Sequence, residues 1–185
     1  TIDGTKRKHD LNRIWKTEDS SNLERGSYDD VVSNIPLWLS QFSNGATKVT
    51  ISSTDIPFIC ESVLHLYSLG IHEVNINCVF EDVWHDGDDK LFEEQLMQLA
   101  NAIIENRYFE SFACSFFSEL IGKPLDAVRD NQNWCGAGMM LAVDAAGNFY
   151  PCTRFAAYSL RSKKPIIIGN IHDGINTNLL RPFLS

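Results

Sequence analysis

The chain has 185 residues, 44% of them hydrophobic and 22% charged, with a net charge of −8 and a pI near 5.0. That length suits one sizeable domain, or a domain with an appendage. The acidic balance argues against a nucleic-acid surface. No apolar run approaches the roughly 20 residues of a membrane helix, so no membrane partner is expected.

In chain order, Thr1-Ile2-Asp3-Gly4 reads as the end of a strand entering a loop. Residues 5–26 are polar, with one short helix expected around Leu11–Trp15. Ser27 is placed as the N-cap of a helix carrying Val31, Val32, Ile35, Trp38, Leu39 and Phe42 at helical spacing up to Asn44-Gly45, which Pro36 should bend. Lys48–Ser52 is β-branched and reads as a strand. Asp55 is taken as the cap of the next helix, with Pro57 in its first turn and Gly70 as its stop.

Glu73–Phe80 alternates and predicts another strand, on which Asn75 and Asn77 share a side that could be a barrel interior or a solvent rim. A charged loop holding Trp84, His85 and Asp86 leads to a helix over Asp88–Asn106. Strands alternating with helices imply a parallel α/β layer. Residues 107–121 are aromatic-rich and could be a strand followed by a helix, with no pattern that decides it.

Met139–Val143 and Asn148–Cys152 flank Asp144-Ala145-Ala146-Gly147, a β-hairpin with Gly147 in the left-handed position. Pro165–Ile168 is expected as a strand, Ile168–Ile171 as a turn breaking it, and His172-Asp173-Gly174 as a turn. Among the five histidines, His65 and His72 are expected to be structural, and His85-Asp86 is a substrate-contact candidate, since loops after strands collect binding residues.

The chemistry centres on Cys135 and Cys152, set in the frame Cys-x11-Gly-x4-Cys. With the turn centred on Ala146, Cys152 falls opposite about Met140, and Gly136 and Gly138 leave the backbone beside Cys135 bare. Both thiolates could ligate one iron–sulfur cluster, whose sulfurs accept hydrogen bonds from backbone amides. The pair could equally be two buried cysteines, or half of a zinc site completed by a second chain. Cys60, Cys78 and Cys114, scattered among apolar neighbours, read as small buried hydrophobes in a reducing cytoplasm.

Thr1-Ile2-Asp3-Gly4, His9-Asp10, Arg13 and Gly26-Ser27-Tyr28-Asp29, with the Cys135–Cys152 frame, Arg154-Phe155 and Ile168-Gly169-Asn170-Ile171, resemble radical SAM enzymes carrying a C-terminal SPASM domain. Anaerobic sulfatase-maturing enzymes and peptide maturases belong to that family. The resemblance implies an α/β fold: residues 1–130 as the C-terminal half of a radical SAM (β/α)6 barrel, and 131–185 as the β-hairpin start of a SPASM domain. It implies [4Fe–4S] clusters and S-adenosylmethionine as cofactors, and a peptide or protein substrate from which a 5′-deoxyadenosyl radical takes a hydrogen.

By position, Thr1 and Asp3 would face S-adenosylmethionine, and Cys135 and Cys152 would be metal ligands of the first auxiliary cluster. The family's Cys-x3-Cys-x2-Cys loop does not occur in the 185 residues. The chain therefore reads as an internal piece of an oxidoreductase, without SAM cleavage of its own, and its incomplete barrel edges favour self-association. The rival expectation is a non-catalytic peptide-binding α/β module.

Overall fold

A computed structural model describes residues 1–15, 25–79, 81–119, 121, 136–156 and 164–184. The chain divides into two compact units, Thr1–Lys123 and Pro124–Ser185.

In the first unit, helix α1 (Lys6–Asn12) is followed by a two-residue antiparallel pair, β1 (Ile14–Trp15) and β2 (Arg25–Gly26). The helix thus lies earlier than the stretch around Leu11–Trp15, whose last residues are extended. Its buried residues are Lys8 and His9, so no apolar stripe announces it. Helix α2 (Tyr28–Gln41) runs through Pro36. Ser27 precedes it, but the Ser27 hydroxyl donates to the Arg13 carbonyl instead of capping. The Tyr28 amide is capped by the Asp10 carboxylate at 3.0 Å.

Strand β3 (Ala46–Ile51) pairs in parallel with β4 (Glu73–Cys78), Ala46 opposite Glu73 through Ile51 opposite Cys78. Between them, a 3₁₀ turn (Ser53–Phe58) leads into α3 (Ile59–Ser68). The cap there is Ser52, not Asp55: the Asp55 carboxylate accepts from both Ser52 N (2.9 Å) and Ser52 Oγ (2.6 Å). After α4 (Asp88–Glu105), β5 (Ala113–Cys114) extends the sheet in parallel, giving the order β3-β4-β5. Thr1–Gly4 has no ladder partner among the described residues. Its tie to the sheet is the Thr47 hydroxyl, which donates to the Ile2 carbonyl at 3.2 Å.

Burial alternates strictly along β3 and β4. Val49, Ile51, Val74 and Ile76 form one core with Ile35 of α2, Val63 and Leu66 of α3, and Leu99 and Ile103 of α4. Helices therefore cover one face of the sheet. The other face carries Lys48 and Thr50 beside Asn75 and Asn77, all exposed. Cys60, Cys78 and Cys114 are only half-buried, yet burial still raises each thiol above its ordinary pKa.

The second unit is an antiparallel sheet in the order β6 (Ala142–Val143), β7 (Asn148–Tyr150), β8 (Gly169–Asn170), β9 (Gly174–Ile175). Gly147 closes the first hairpin at φ 81°, as its position in the sequence requires. Pro165–Ile168 is not a strand: the ladder begins one residue later, and the expected turn at Ile168–Ile171 contains β8. The chain reverses instead over residues 171–173, in line with the expected turn at His172. A short helix α5 (Thr177–Leu180) follows, capped by the Asn176 side chain.

Candidate functional site

Three features could carry function in the first unit: a buried polar cluster around Asp3, the open polar sheet face, and a cleft at the end of β4. Arg13 Nε donates to Asp3 Oδ2 at 2.6 Å, and the Asp3 amide donates to His9 Nδ1 at 3.1 Å. An amide can only donate, so His9 Nδ1 carries no proton and its Nε2–H is directed at Ser27 Oγ, 3.0 Å away. Burial lowers the His9 pKa below its ordinary 6.5, against the pull of the Asp3 carboxylate. Asp3 is 4% exposed, and its second oxygen, Oδ1, is enclosed without a partner among the described residues. Thr1 is exposed and borders a cleft of about 640 Å³ with Trp15, Asp30, Trp38 and Lys48. The two residues expected to face S-adenosylmethionine thus differ: Thr1 is open, and Asp3 is held inward by Arg13.

Beside this cluster lies a buried ion pair that sequence pattern alone does not signal. Lys8 Nζ stands 3.4 Å from Asp55 Oδ1 and donates to the Thr50 carbonyl at 2.9 Å, with both side chains almost fully enclosed. It fastens α1 to the C-terminal end of β3.

On the open face, the Asn77 carboxamide, in the orientation that satisfies both of its ends, accepts from Lys48 Nζ at 2.7 Å. The sequence left Asn75 and Asn77 between interior and rim. The structure puts both on the uncovered face of the sheet, in register with Lys48 and Thr50.

At the C-terminal end of β4, a cleft of about 740 Å³ is lined by Cys78, Trp84, Phe92 and a run of acidic residues. Trp84 Nε1 donates to the Val79 carbonyl (3.0 Å), fixing the indole. His85 reaches across to the β3–α3 loop, its Nδ1 2.9 Å from Ser53 Oγ, and its amide donates to Asp88 Oδ2 at 2.8 Å. That amide is the main reason the Asp88 carboxyl titrates below the ordinary carboxylate range. Of the two histidines expected to be structural, His65 Nε2 meets the Tyr28 hydroxyl at 2.5 Å, and His72 Nδ1 donates to the Ser111 carbonyl.

In the second unit, Asp144 organises the hairpin. Its Oδ1 accepts from the Ala146 and Asn148 amides, and its Oδ2 accepts from the Tyr150 hydroxyl (2.7 Å) and Asn148 Nδ2. The Tyr150 bond leads the causes that lower its pKa to about 2. The ladder pairs Ala142 with Tyr150 and Val143 with Phe149 and stops there, so Met140, whose amide donates to the Gly136 carbonyl, and Cys152 lie beyond it. Cys152 is half-buried, its sulfur 3.9 Å from Thr153 Oγ1. Cys135 lies outside the described residues. Its neighbours are informative: Gly136 and Gly138 adopt φ of 73° and 89°, and the Gly138 amide donates to the Pro151 carbonyl at 2.8 Å. Among the described residues, no group of three or more His, Cys, Asp or Glu converges as a metal site.

No protein-family model matches the chain, and no curated protein matches it significantly.

Proposed function

We propose that these 185 residues form part of a radical SAM enzyme with a SPASM domain, acting on a peptide or protein. The observation that carries this reading is the Gly138–Pro151 hydrogen bond. It ties Gly138, three residues after Cys135 in the sequence, to Pro151, the residue that precedes Cys152. Cys135 and Cys152 would supply two of the about four thiolates a [4Fe–4S] cluster takes. Gly136 and Gly138, both at positive φ, put no side chain beside the frame, so a bulky cluster could approach the backbone there.

The sheet supports the barrel half of the proposal. Its three strands follow chain order without reversal, as successive strands of a (β/α) barrel and each half of a doubly wound sheet both do. Parallel sheets of the doubly wound kind are apolar on both faces. Here a second helical layer would have to bury Lys48, Asn75 and Asn77, at a cost of about 1–3 kcal/mol for each group left unpaired. A polar face left uncovered suits a partial barrel whose inner side meets a ligand instead of a packed apolar core.

When bound, the cluster and S-adenosylmethionine supply the one-electron chemistry that removes a hydrogen atom from the substrate. The chain's own part is to hold and orient. Thr1 is open to a ligand, and the unpaired Asp3 Oδ1 is an acceptor short of a donor, which a ribose hydroxyl would provide if the Thr1–Gly4 segment opened.

The whole polypeptide encoded around this segment tests the reading. It should contain a Cys-x3-Cys-x2-Cys loop before Thr1, and after anaerobic purification the wild type should hold about four more irons per chain than the Cys135→Ser, Cys152→Ser variant. Lack of the triplet, or equal iron in both proteins, would sink it.

A further inference from the structure

The cleft at the end of β4 has the attributes of a side-chain recognition subsite. Two aromatic rings wall it: Trp84, anchored through its indole N–H to Val79, and Phe92, braced edge-on against Phe116 at a centroid distance of 5.3 Å. Of the acids around it, Asp88 is already engaged by the His85 amide. Asp86 and Asp89 are exposed, and among the described residues they have no ion-pair partner and no lysine or arginine lines the cleft. Carboxylates in the first turn of a helix are ordinary, because they complement its dipole, so Asp88 and Asp89 alone would mean nothing. Asp86 lies before the helix begins and lines the cleft together with Trp84. Rings with a negative π-face beside unpaired carboxylates attract a cation carried on an apolar stem.

We infer that this cleft binds a lysine or arginine side chain of the peptide substrate, outside the open sheet face. Only the word substrate rests on the function proposed above; the preference for a cation rests on the cleft itself. The His85–Ser53 contact joins the two loops at this edge, so an occupied cleft would hold both loops near the strand ends where ligands of α/β sheets bind.

The 185-residue chain is titrated with acetyl-Gly-Lys-Gly-amide and with its norleucine counterpart while the Trp84 indole N–H is followed by NMR. The lysyl peptide should shift that resonance at millimolar concentrations and bind about tenfold more tightly than the norleucyl one, with added salt weakening it. Asp86→Asn with Asp89→Asn should remove most of that preference. Both positions are exposed, so this variant should fold, and its undisturbed amide spectrum would establish that. Equal binding of the two peptides, no shift at about 50 mM, or full lysyl affinity in the double variant would overturn the inference. The outcome is independent of iron: lysyl binding with no cluster in the whole protein would topple the enzyme reading and leave the subsite standing.

Discussion

Replacing Asp55 with asparagine tests whether the Lys8–Asp55 pair is the fastening of the first unit. Lys8 is 1% exposed, and without Asp55 its charge keeps the Thr50 carbonyl as its close acceptor. Breaking a buried pair by removing one charge costs about 3–5 kcal/mol, chiefly for the ion left behind. Lys8→Met should cost less, about 2–3 kcal/mol, because the stranded Asp55 carboxylate keeps two donors from Ser52 and one from Asn12 Nδ2 at 3.4 Å. Urea denaturation, read by amide exchange at Val49 and Ile76 so that only this unit is followed, measures both. With an m-value of about 2 kcal/mol/M, Asp55→Asn should lower the midpoint by about 2 M and Lys8→Met by about 1 M. A larger loss in Lys8→Met than in Asp55→Asn would refute the reasoning, since it would put the cost on the better-solvated partner. Small losses in both would show that water reaches the pair.

Two further outcomes follow from the same packing. Burial lowers the pKa of both His9 and His65, so each binds fewer protons folded than unfolded near pH 6. Their stabilising contribution is complete above about pH 6.5 and is lost as the pH falls below it; melting temperatures from pH 8 to 5 should show this decline, and His9→Gln with His65→Gln should flatten it. Gly147→Ala forces a side chain into φ 81° and brings its Cβ to 2.7 Å from Ile171 Cγ1; about 1–2 kcal/mol should be lost, seen as faster amide exchange at Val143 and Phe149, while unchanged exchange would show that the turn is not under tension.

The long elements of the first unit were legible because their burial is apolar and periodic: Ile35 and Trp38 in α2, Val63 and Leu66 in α3, Leu99 and Ile103 in α4 all follow the helical repeat. Helix α1 was not, because what it buries is Lys8 and His9, and the partners that make this tolerable stand 47 and 18 residues further along the chain, at Asp55 and Ser27. The caps were legible in part: Ser27 holds the N-cap position of α2 without a capping bond from its side chain, and Ser52 replaces Asp55 as the next cap. Ser27 and Asp55 have the right chemistry for N-caps, but Ser27 is drawn to Arg13 and His9, and Asp55 serves Ser52 and Lys8. Strand β5 is two residues long, below the length at which alternation can be read, and it exists through its register with Glu73 and Val74. In the second unit, β-branched Pro165–Ile168 lost the ladder to Gly169–Asn170 because the β8–β9 hairpin closes backbone on backbone. A Cβ at Gly169 would stand 2.2 Å from the Gly174 carbonyl oxygen, so only glycine can occupy that strand position.

For the candidate site, residue types were a better guide than residue surroundings. The hairpin register could be counted from the sequence, because a left-handed Gly147 and an Asp144 that satisfies its own turn leave one way to fold back. The Gly138–Pro151 bond could not, since it arises where the ladder stops and no periodicity applies. Asp3 shows the converse. Its place at the end of a strand suggested a group turned toward a ligand, yet an arginine ten residues on, reached through a helix that pattern does not reveal, folds over it. Burial of a carboxylate is decided by where its cation comes from, and that is a property of the tertiary fold. The β4 cleft was half visible for the same reason: His85 and Asp86 advertise themselves as polar residues in a loop, whereas Phe92 joins them in one cleft only once α4 packs against α3 and the Ser53–Phe58 turn.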